Sequence, residues 1–267
     1  MTVDSDTMEL AAIEARVRAG ERLSLEDGVA LLESPDLLKI GELADLARRR
    51  TAGDDVFFIN NRHINHTNVC GNRCKFCAFS ADEGADDAYT MTLAEVLDRA
   101  RGSLADGITE LHIVGGEHPS LPYDYYLEMI RALHDLDPDV HLQAFTASEI
   151  AFFARRTKRT EEAVLREMKE AGLGSMPGGG AEVFAERVRG IVCDKKISGD
   201  KWLEVMRTAH KVGIKSNATM LYGHVETLEE RIDHLIRLRE LQDETGGFGT
   251  PPTPSWKSFP GPAASRI

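Results

Sequence analysis

The sequence has no apolar run long enough to cross a membrane and no excess of basic residues. Its 267 residues include 44 acidic and 32 basic side chains, which gives a formal net charge of -12 at pH 7. A general nucleic-acid-binding protein needs a basic face, so this charge argues against one. A membrane span needs about 18 consecutive apolar residues, and none occur. Segment 1–9 has no apolar core of a secretory signal, so we expect a cytoplasmic protein without a membrane or nucleic-acid partner.

Cysteine is also scarce, and its placement is uneven. Three of the four cysteines, Cys70, Cys74 and Cys77, fall within eight residues. A disulfide scaffold would distribute its cysteines, whereas clustered cysteines in such a chain are typical of metal ligands or redox groups. The fourth, Cys193, stands alone after a helical pattern, and we interpret it as a buried or idle thiol.

Short strand-like segments alternate with longer helical ones along most of the chain. Residues 1–52 are helical in pattern, and residues 53–247 hold roughly five strand–helix units. Such repeats predict a parallel sheet, and a full barrel would need eight units. We therefore predict an α/β fold, a partial (β/α) barrel behind an N-terminal helical layer. Capping-box spacings mark three helix starts, at Ser24/Asp27, Thr92/Glu95 and Thr227/Glu230, and the strand candidates are 56–59 with 64–67, 110–114, 141–146, 174–176 and 216–222.

The last segment, 248–267, departs from this pattern. It is rich in Gly, Pro and Ser and has neither a helical nor a strand period. An irregular tail is one interpretation. Because the helix predicted at 228–245 should be followed by a strand, we hypothesise that this tail is out of register with the rest, as after a frameshift or a truncation. The other frames of the underlying nucleotide sequence would test this hypothesis.

The cysteine loop has the spacing C-x3-C-x2-C and directly follows a strand candidate, which places it at the carboxyl end of a barrel strand. Three thiolates from one loop can hold three irons of a [4Fe–4S] cluster. The fourth iron then stays open to chelate S-adenosylmethionine, which an electron from the cluster cleaves to a 5′-deoxyadenosyl radical. The alternative is a closed zinc site with His63 or His66 as the fourth ligand.

With Phe76 before the third cysteine, the loop resembles the signature of the radical S-adenosylmethionine superfamily, in which this aromatic residue packs near the adenine. Four further strings resemble its aminofutalosine synthase branch. They are HIVGGEHP at 112–119, AFTASEI at 144–150, GLGSMPGGGAEVF at 172–184 and SNATMLYGHVET at 216–227. The resemblance spans residues 56–248, in order and nearly without gaps.

The resemblance implies a radical reaction in menaquinone biosynthesis. The 5′-deoxyadenosyl radical would add to the vinyl ether of 3-[(1-carboxyvinyl)oxy]benzoate, and rearrangement with decarboxylation would give 6-amino-6-deoxyfutalosine. A small redox protein such as flavodoxin or ferredoxin would supply the electron. Because Arg presents a planar fork to a carboxylate, Arg73, Arg187 and Arg189 are candidates for binding the two substrate carboxylates.

Two glycines and a carboxylate, Gly115, Gly116 and Glu117, follow the second strand candidate. By the resemblance, this stretch hydrogen-bonds the amino group of S-adenosylmethionine, since glycine allows close backbone approach and a carboxylate pairs with an ammonium. A plain strand-to-helix turn is the alternative. Glu149, at the end of the third strand candidate, is predicted either to contact the same cosubstrate or to be a helix N-terminal charge.

Polar residues on and after the fifth strand candidate are predicted to bind the substrate. Alternation places Asn217 and Thr219 on one face, which in a barrel can point inward. His118 and His224 are predicted to act on the substrate carboxylate or in proton transfer, although a merely hydrogen-bonded histidine is the alternative. The predicted substrate-binding residues are Asn217, Thr219, Tyr222, His224 and His118.

Three other functions remain open at this point. Dehypoxanthine futalosine cyclase of the same pathway shares the cysteine loop, although the strings at 144–150 and 172–184 resemble the synthase more. The radical half of the deazaflavin-forming synthase is less similar outside the loop. A non-catalytic fragment is the third alternative, because a barrel that lacks strands has an exposed sheet edge and a less shielded interior.

Overall fold

The computed structural model describes residues 3–56 and 58–249. Three helices come first: α1 (Val3–Ala19), α2 (Leu25–Glu33) and α3 (Leu37–Ala52). The capping box predicted at α2 is present, because the Asp27 N–H donates to Ser24 Oγ (3.2 Å) and the Ser24 N–H donates to Asp27 Oδ2 (3.0 Å). Such reciprocal bonds satisfy two backbone donors that a helix start leaves free.

Within the described residues, five parallel strands form one sheet in chain order. Ile64 pairs with Ile113, and Ile113 pairs with Ala144, so the first three strands end level with one another. Because all strands run in the same direction, the loops after their carboxyl ends meet at one edge of the sheet. The predicted α/β fold is confirmed. The strands are β1 (Asn61–Ile64), β2 (Glu110–Ile113), β3 (His141–Ala144), β4 (Ser175–Met176) and β5 (Lys215–Ser216).

The strands are connected and covered by helices α4 to α10. The capping boxes predicted at Thr92 and Thr227 are confirmed. A further one, in which Thr146 and Glu149 open α6, was not predicted. The helices are α4 (Leu93–Leu104), α5 (Tyr123–Leu136), α6 (Ala147–Thr157), α7 (Glu161–Glu170), α8 (Glu186–Val192), α9 (Gly199–Lys211) and α10 (Leu228–Thr245).

The second, third and fourth strands differ from the predicted ranges by one or two residues, and the first and fifth strands differ more. The first strand is Asn61–Ile64, between the two candidates 56–59 and 64–67, and residue 57 of the first candidate lies outside the described residues. The fifth strand ends at Ser216 rather than at residue 222. Beyond it, the Asn217 N–H still bonds to Met176 O (3.0 Å), but Thr219 donates its hydroxyl to Gly178 O (2.5 Å). Side-chain bonding to the neighbouring loop thus replaces the strand ladder.

The sheet continues past β5 after helix α10. Ser216 and Phe248 form a parallel bridge, in which the Ser216 N–H donates to Gly247 O (3.2 Å) and the Gly249 N–H donates to Ser216 O (2.8 Å). Phe248 is buried and stacks on Trp202 with 6.3 Å between ring centroids. Residues 248 and 249 therefore occupy the position of the next strand, whereas 250–267 of the predicted tail lie outside the described residues.

The hydrophobic core lies between the sheet and its covering helices. Helix α6 is the most enclosed, since every residue from Ala147 to Ala154 is buried. The N-terminal layer joins this body where α2 meets α10: a Cβ added at Gly28 would lie 2.7 Å from the Ile232 side chain, so glycine permits the close approach. No helix among residues 3–56 and 58–249 is long and apolar enough to cross a membrane.

Candidate functional site

The cysteine loop leaves β1 and is tied to the loop after β2. The Gly116 N–H donates to Thr67 O (2.9 Å), and the Gly71 N–H donates to Glu117 O (3.1 Å). Within the loop, the Cys77 N–H donates to Cys74 O (3.0 Å). These backbone bonds hold the three thiols at the carboxyl edge of the sheet, where the topology predicted them.

Gly115 and Gly116 are required by close packing. A Cβ at Gly116 would lie 2.1 Å from the carbonyl oxygen of Val69 and 2.9 Å from Cys70 Cβ. A Cβ at Gly115 would lie 2.5 Å from the ring of His66. The backbone of this stretch therefore touches the base of the cysteine loop, which a side chain would push away.

All eight residues predicted for the cluster and its cosubstrate line one cavity of about 130 Å³. A larger surface groove of about 400 Å³ lies between α9 and α10, but it is lined by residues such as Asp200, Arg207, Arg237 and Glu244 and includes no thiol. The predicted residues therefore come together in the smaller cavity and not in the groove. Its predicted lining residues are Cys70, Cys74, Cys77, Phe76, Gly115, Gly116, Glu117 and Glu149.

Two buried carboxylates face this cavity. Glu149 accepts hydrogen bonds from the N–H groups of Thr146 (2.8 Å) and Gly115 (3.3 Å) and from the Thr146 hydroxyl (2.9 Å). Burial raises its pKa to about 7, and the nearby charge of Glu117 adds to the effect. Burial also raises the pKa of Glu117, which accepts a hydrogen bond from Ser148. Glu149 thus caps α6 and also lines the cavity. Its position is compatible with both predicted roles, a helix N-terminal charge and a contact with the cosubstrate.

Lys196 adds a positive charge that the sequence pattern did not predict. Burial acts to lower the pKa of Lys196, but Glu182, 2.6 Å from its Nζ, and the Cys74 thiol keep it raised. The Lys196 Nζ also lies 5.7 Å from the centroid of the Phe76 ring. Lys196 follows α8 in a polar segment, DKK, that is typical of a solvated turn. Only tertiary packing brings it to the thiols.

The segment that carries Lys196 supports the cysteine loop from behind. The Lys75 N–H donates to Val192 O (3.0 Å), and Cys193 packs with Cys74 in a small apolar cluster. Cys193 is buried, as predicted. Burial raises the pKa of both thiols, that of Cys74 to about 11, with Lys196 opposing the effect.

The donor set fits an iron–sulfur cluster better than a single zinc ion. No three His, Cys, Asp or Glu side chains in the described part of the chain lie close enough together to hold one metal ion. A [4Fe–4S] cluster instead places each thiolate on a different iron, which requires separated sulfurs. His63 stacks on His112 with 4.5 Å between ring centroids, and His66 is buried against Gly115, so neither completes a closed zinc site with the thiols.

The residues predicted to bind substrate do not line the cavity. Thr219 bonds to Gly178, and the exposed ring of Tyr222 lies 5.2 Å from the Arg231 guanidinium carbon. His224 Nε2 contacts Leu221 O (2.9 Å). His118, near the cavity, accepts the Ser120 and Leu121 N–H groups on Nδ1 (3.1 and 3.2 Å), which is the hydrogen-bonded alternative. Asn217 continues the β4 pairing. A substrate role for these five residues stays a prediction.

The three arginines considered for carboxylate binding are all engaged elsewhere. Arg189 is buried and donates to the carbonyl oxygens of Gly180, Ala181 and Ile197. Arg187 pairs with Glu230 (2.6 Å), and Arg73 bonds to Ser80 O and lies 3.3 Å from Asp82. Their charges are therefore used within the fold. Other lining residues that the sequence did not single out include Asn72, Thr146, Ser148 and Lys196.

Comparison with known proteins gives consistent matches. A family model described as the Radical SAM superfamily matches residues 64–238. The chain is 47% identical over 239 residues to the aminodeoxyfutalosine synthase of Thermus thermophilus, covering 90% of this chain and 64% of that protein. It is 48% identical over 236 residues to the protein of the same name from Streptomyces coelicolor, covering 88% and 61%. The chain thus spans less than two thirds of the length of these two relatives.

Two further matches extend the comparison. The chain is 40% identical over 246 residues to the 5-amino-6-(D-ribitylamino)uracil--L-tyrosine 4-hydroxyphenyl transferase of Methanopyrus kandleri, covering 91% of this chain and 67% of that protein. Among solved structures, the crystal structure of HydG, a maturase of the [FeFe]-hydrogenase, matches with a TM-score of 0.68 at 18% identity, covering 91% of this chain and 53% of that chain. At this identity the structural likeness concerns the fold alone.

Proposed function

Because this chain belongs to the radical S-adenosylmethionine superfamily, we propose that it is an aminodeoxyfutalosine synthase of menaquinone biosynthesis. The proposed reaction joins the 5′-deoxyadenosyl group to 3-[(1-carboxyvinyl)oxy]benzoate, releases methionine, and gives 6-amino-6-deoxyfutalosine after rearrangement and loss of carbon dioxide. The observation that carries the proposal is the convergence of three loop thiols, two buried carboxylates and one lysine on a single cavity. The 47% identity to a synthase supports the choice within the superfamily.

In this proposal Cys70, Cys74 and Cys77 each hold one iron of a [4Fe–4S] cluster. When bound and reduced, by a small redox protein such as flavodoxin or ferredoxin, the cluster supplies the electron that splits the carbon–sulfur bond of S-adenosylmethionine. The fold positions the three thiols for cluster binding. Backbone bonds from Gly71 and Gly116 fix the loop against β2, so little conformational entropy is lost when the cysteines acquire their irons.

The remaining lining residues suit the polar groups of S-adenosylmethionine. Glu117 offers a carboxylate to the ammonium, and Lys196 offers an ammonium to the carboxylate. Glu149 is a hydrogen-bond acceptor for the amino group or the ribose, and Phe76 offers a ring face to the adenine. Because Glu117 and Glu149 are largely removed from water, their interactions with a bound charge are stronger than they would be in solution. Such positioning is what a water-excluding radical site requires of its protein.

The aryl vinyl ether carboxylate would lie on the side of the sheet where β5 ends. Asn217, Thr219, Tyr222 and His224 belong to that side in our proposal. The Tyr222 hydroxyl offers a donor for a carboxylate, and exposed His224 offers an imidazole on the same side. His118 lies nearer the cysteine loop and would be the proton carrier between the two sides.

Anaerobic reconstitution tests the proposal. The chain is loaded with iron and sulfide, reduced, and incubated with S-adenosylmethionine and the vinyl ether, and nucleoside products are identified by mass spectrometry. We expect methionine release together with 6-amino-6-deoxyfutalosine. The matched control replaces Cys70, Cys74 and Cys77 with alanine and is expected to bind no cluster, whereas Cys193→Ala is expected to bind one.

The outcomes separate the competing functions. Methionine release only with dehypoxanthine futalosine would assign the chain to the cyclase. Release with tyrosine and 5-amino-6-(D-ribitylamino)uracil would favour the transferase class, to which the chain is 40% identical. A loaded cluster with no product from any of these substrates would mean that this stretch of chain binds the cluster without completing the reaction. Iron content unchanged in the triple alanine variant would contradict the whole proposal.

A further inference from the structure

One side chain inside the cysteine loop has an unused hydrogen-bond donor. Asn72 lies between Cys70 and Cys74, is 7% exposed, and lines the cavity. Its side-chain amide nitrogen has no hydrogen-bond partner among the described residues. A weak polar interaction with the Asn72 side chain opposes the burial that raises the pKa of the Glu117 carboxyl, but the Asn72 nitrogen and this carboxyl do not meet at the distance and angle of a normal hydrogen bond.

A second asparagine of the same segment has hydrogen-bond partners for both of its polar side-chain atoms. Asn68 is equally buried, but its side-chain nitrogen donates to Asp87 O (2.8 Å) and its side-chain oxygen accepts from the Tyr89 N–H (2.7 Å). Leaving a buried donor unpaired costs about 1–3 kcal/mol, and such donors are rare in folded proteins. The free amide of Asn72 therefore indicates a partner that binds in the cavity.

The position of Asn72 in the cysteine loop indicates which hydrogen-bond acceptor its amide would contact. One residue separates it from each of Cys70 and Cys74, and the cavity that it lines is the one bordered by all three thiols. We propose that the Asn72 amide donates an N–H hydrogen bond to a sulfur atom of the cluster and sets its reduction potential. This inference rests on the proposed cluster binding but not on the proposed substrate.

The direction of the effect follows from charge. Reduction adds one negative charge to the cluster, and an N–H donor stabilises the more negative form. Hydrogen bonds to the sulfurs are among the factors that set the potentials of iron–sulfur clusters. Removing the donor should lower the potential, and replacing it with a carboxylate should lower the potential further, because a fixed negative charge then faces the reduced cluster.

The experiment compares Asn72→Leu and Asn72→Asp with the parent chain. Asn60→Asp is the matched control, since it adds the same charge at an exposed residue outside the cavity. Iron content is measured first. The cluster is then titrated reductively without S-adenosylmethionine, and its reduced fraction is followed by electron paramagnetic resonance.

We expect the ratio of reduced to oxidised cluster at a fixed potential to fall about tenfold in Asn72→Leu, which corresponds to one hydrogen bond to a charged acceptor. The ratio should fall further in Asn72→Asp and stay unchanged in Asn60→Asp. Should Asn72→Leu fail to load iron, the potential of Asn72→Asp decides the question. Equal potentials in the loaded variants would overturn the inference, as would an effect confined to S-adenosylmethionine affinity. Failure of the parent chain to bind a cluster would instead contradict the proposed function.

Discussion

Two parts of the carboxyl edge of the sheet differ in how they are held. The loops after β1, β2 and β3 are bonded to one another at their bases, through Gly116 to Thr67 and through Gly115 to Glu149. The segment 221–225 after β5 is largely exposed and forms a turn of its own, in which Glu226 accepts the N–H groups of Gly223 and His224. The cysteine side is therefore built before any ligand arrives, whereas the β5 side has room to adjust. The following predictions test this contrast.

Gly116→Ala should have the largest effect, because the new methyl would meet the backbone carbonyl of Val69, which cannot move aside. We expect a loss of about 5 kcal/mol in unfolding free energy, or failure to fold, and no cluster loading. Gly71→Ala is the control, since its Cβ would meet nothing nearer than Glu117 O at 3.8 Å. Urea unfolding and iron analysis measure both. Normal iron loading in Gly116→Ala would show that the cysteine side is not rigid.

Lys196→Met should come next. It leaves the buried Glu182 carboxylate without its partner at 2.6 Å, and we expect a loss of about 4 kcal/mol. The double variant with Glu182→Gln should regain most of that stability. If Lys196 also meets the cosubstrate carboxylate, both variants should bind S-adenosylmethionine more weakly, which isothermal titration under anaerobic conditions measures. Full binding by the double variant would restrict Lys196 to a structural role.

Glu149→Gln should change how stability depends on pH. The folded-state pKa of Glu149 is about 7 and its ordinary value is 4.5, so the folded state holds this proton more tightly than the unfolded chain does. Its contribution is complete below pH 4.5 and is lost as the pH rises to about 7. Relative to the Gln variant, the parent chain should lose about 3 kcal/mol across this window. Urea unfolding at both ends of the window, with exposed Glu128→Gln as control, measures the difference; equal slopes for parent and Glu149→Gln would contradict it.

Tyr222→Ala should have the smallest effect on stability. Tyr222 is 61% exposed and contacts Arg231 only through its ring face, so we expect a change within about 0.5 kcal/mol. If the predicted substrate role is correct, KM for the vinyl ether should rise while cluster content stays constant. Tyr222→Phe separates the ring from the hydroxyl. A stability loss well above 1 kcal/mol would mean that the β5 side is as firmly packed as the cysteine side.

The sequence was informative where the chemistry is local. Capping boxes, the alternation of strands and helices, and the cysteine spacing each depend on residues close together in the chain, and the structure contains them. The strand predicted at 216–222 was too long, because the bond from Thr219 to Gly178 depends on a loop that is distant in sequence. The contribution of Lys196 to the cavity could not be predicted either, because Lys196 is distant in sequence from the cysteine loop. Glycines 115 and 116 were identified by resemblance, but the contacts that require them, with His66 and Val69, appear only in three dimensions.

The bond between Lys75 N–H and Val192 O has a consequence for biogenesis. The cysteine loop leaves the ribosome early, but the segment that supports it, from Val192 to Lys196, is translated far later. A nascent chain that ends before α8 would present three thiols with no packing behind Cys74 and no ammonium beside them. The loop therefore has its full support only after synthesis has passed α8, so the proposed cluster would be loaded late in the maturation of the chain.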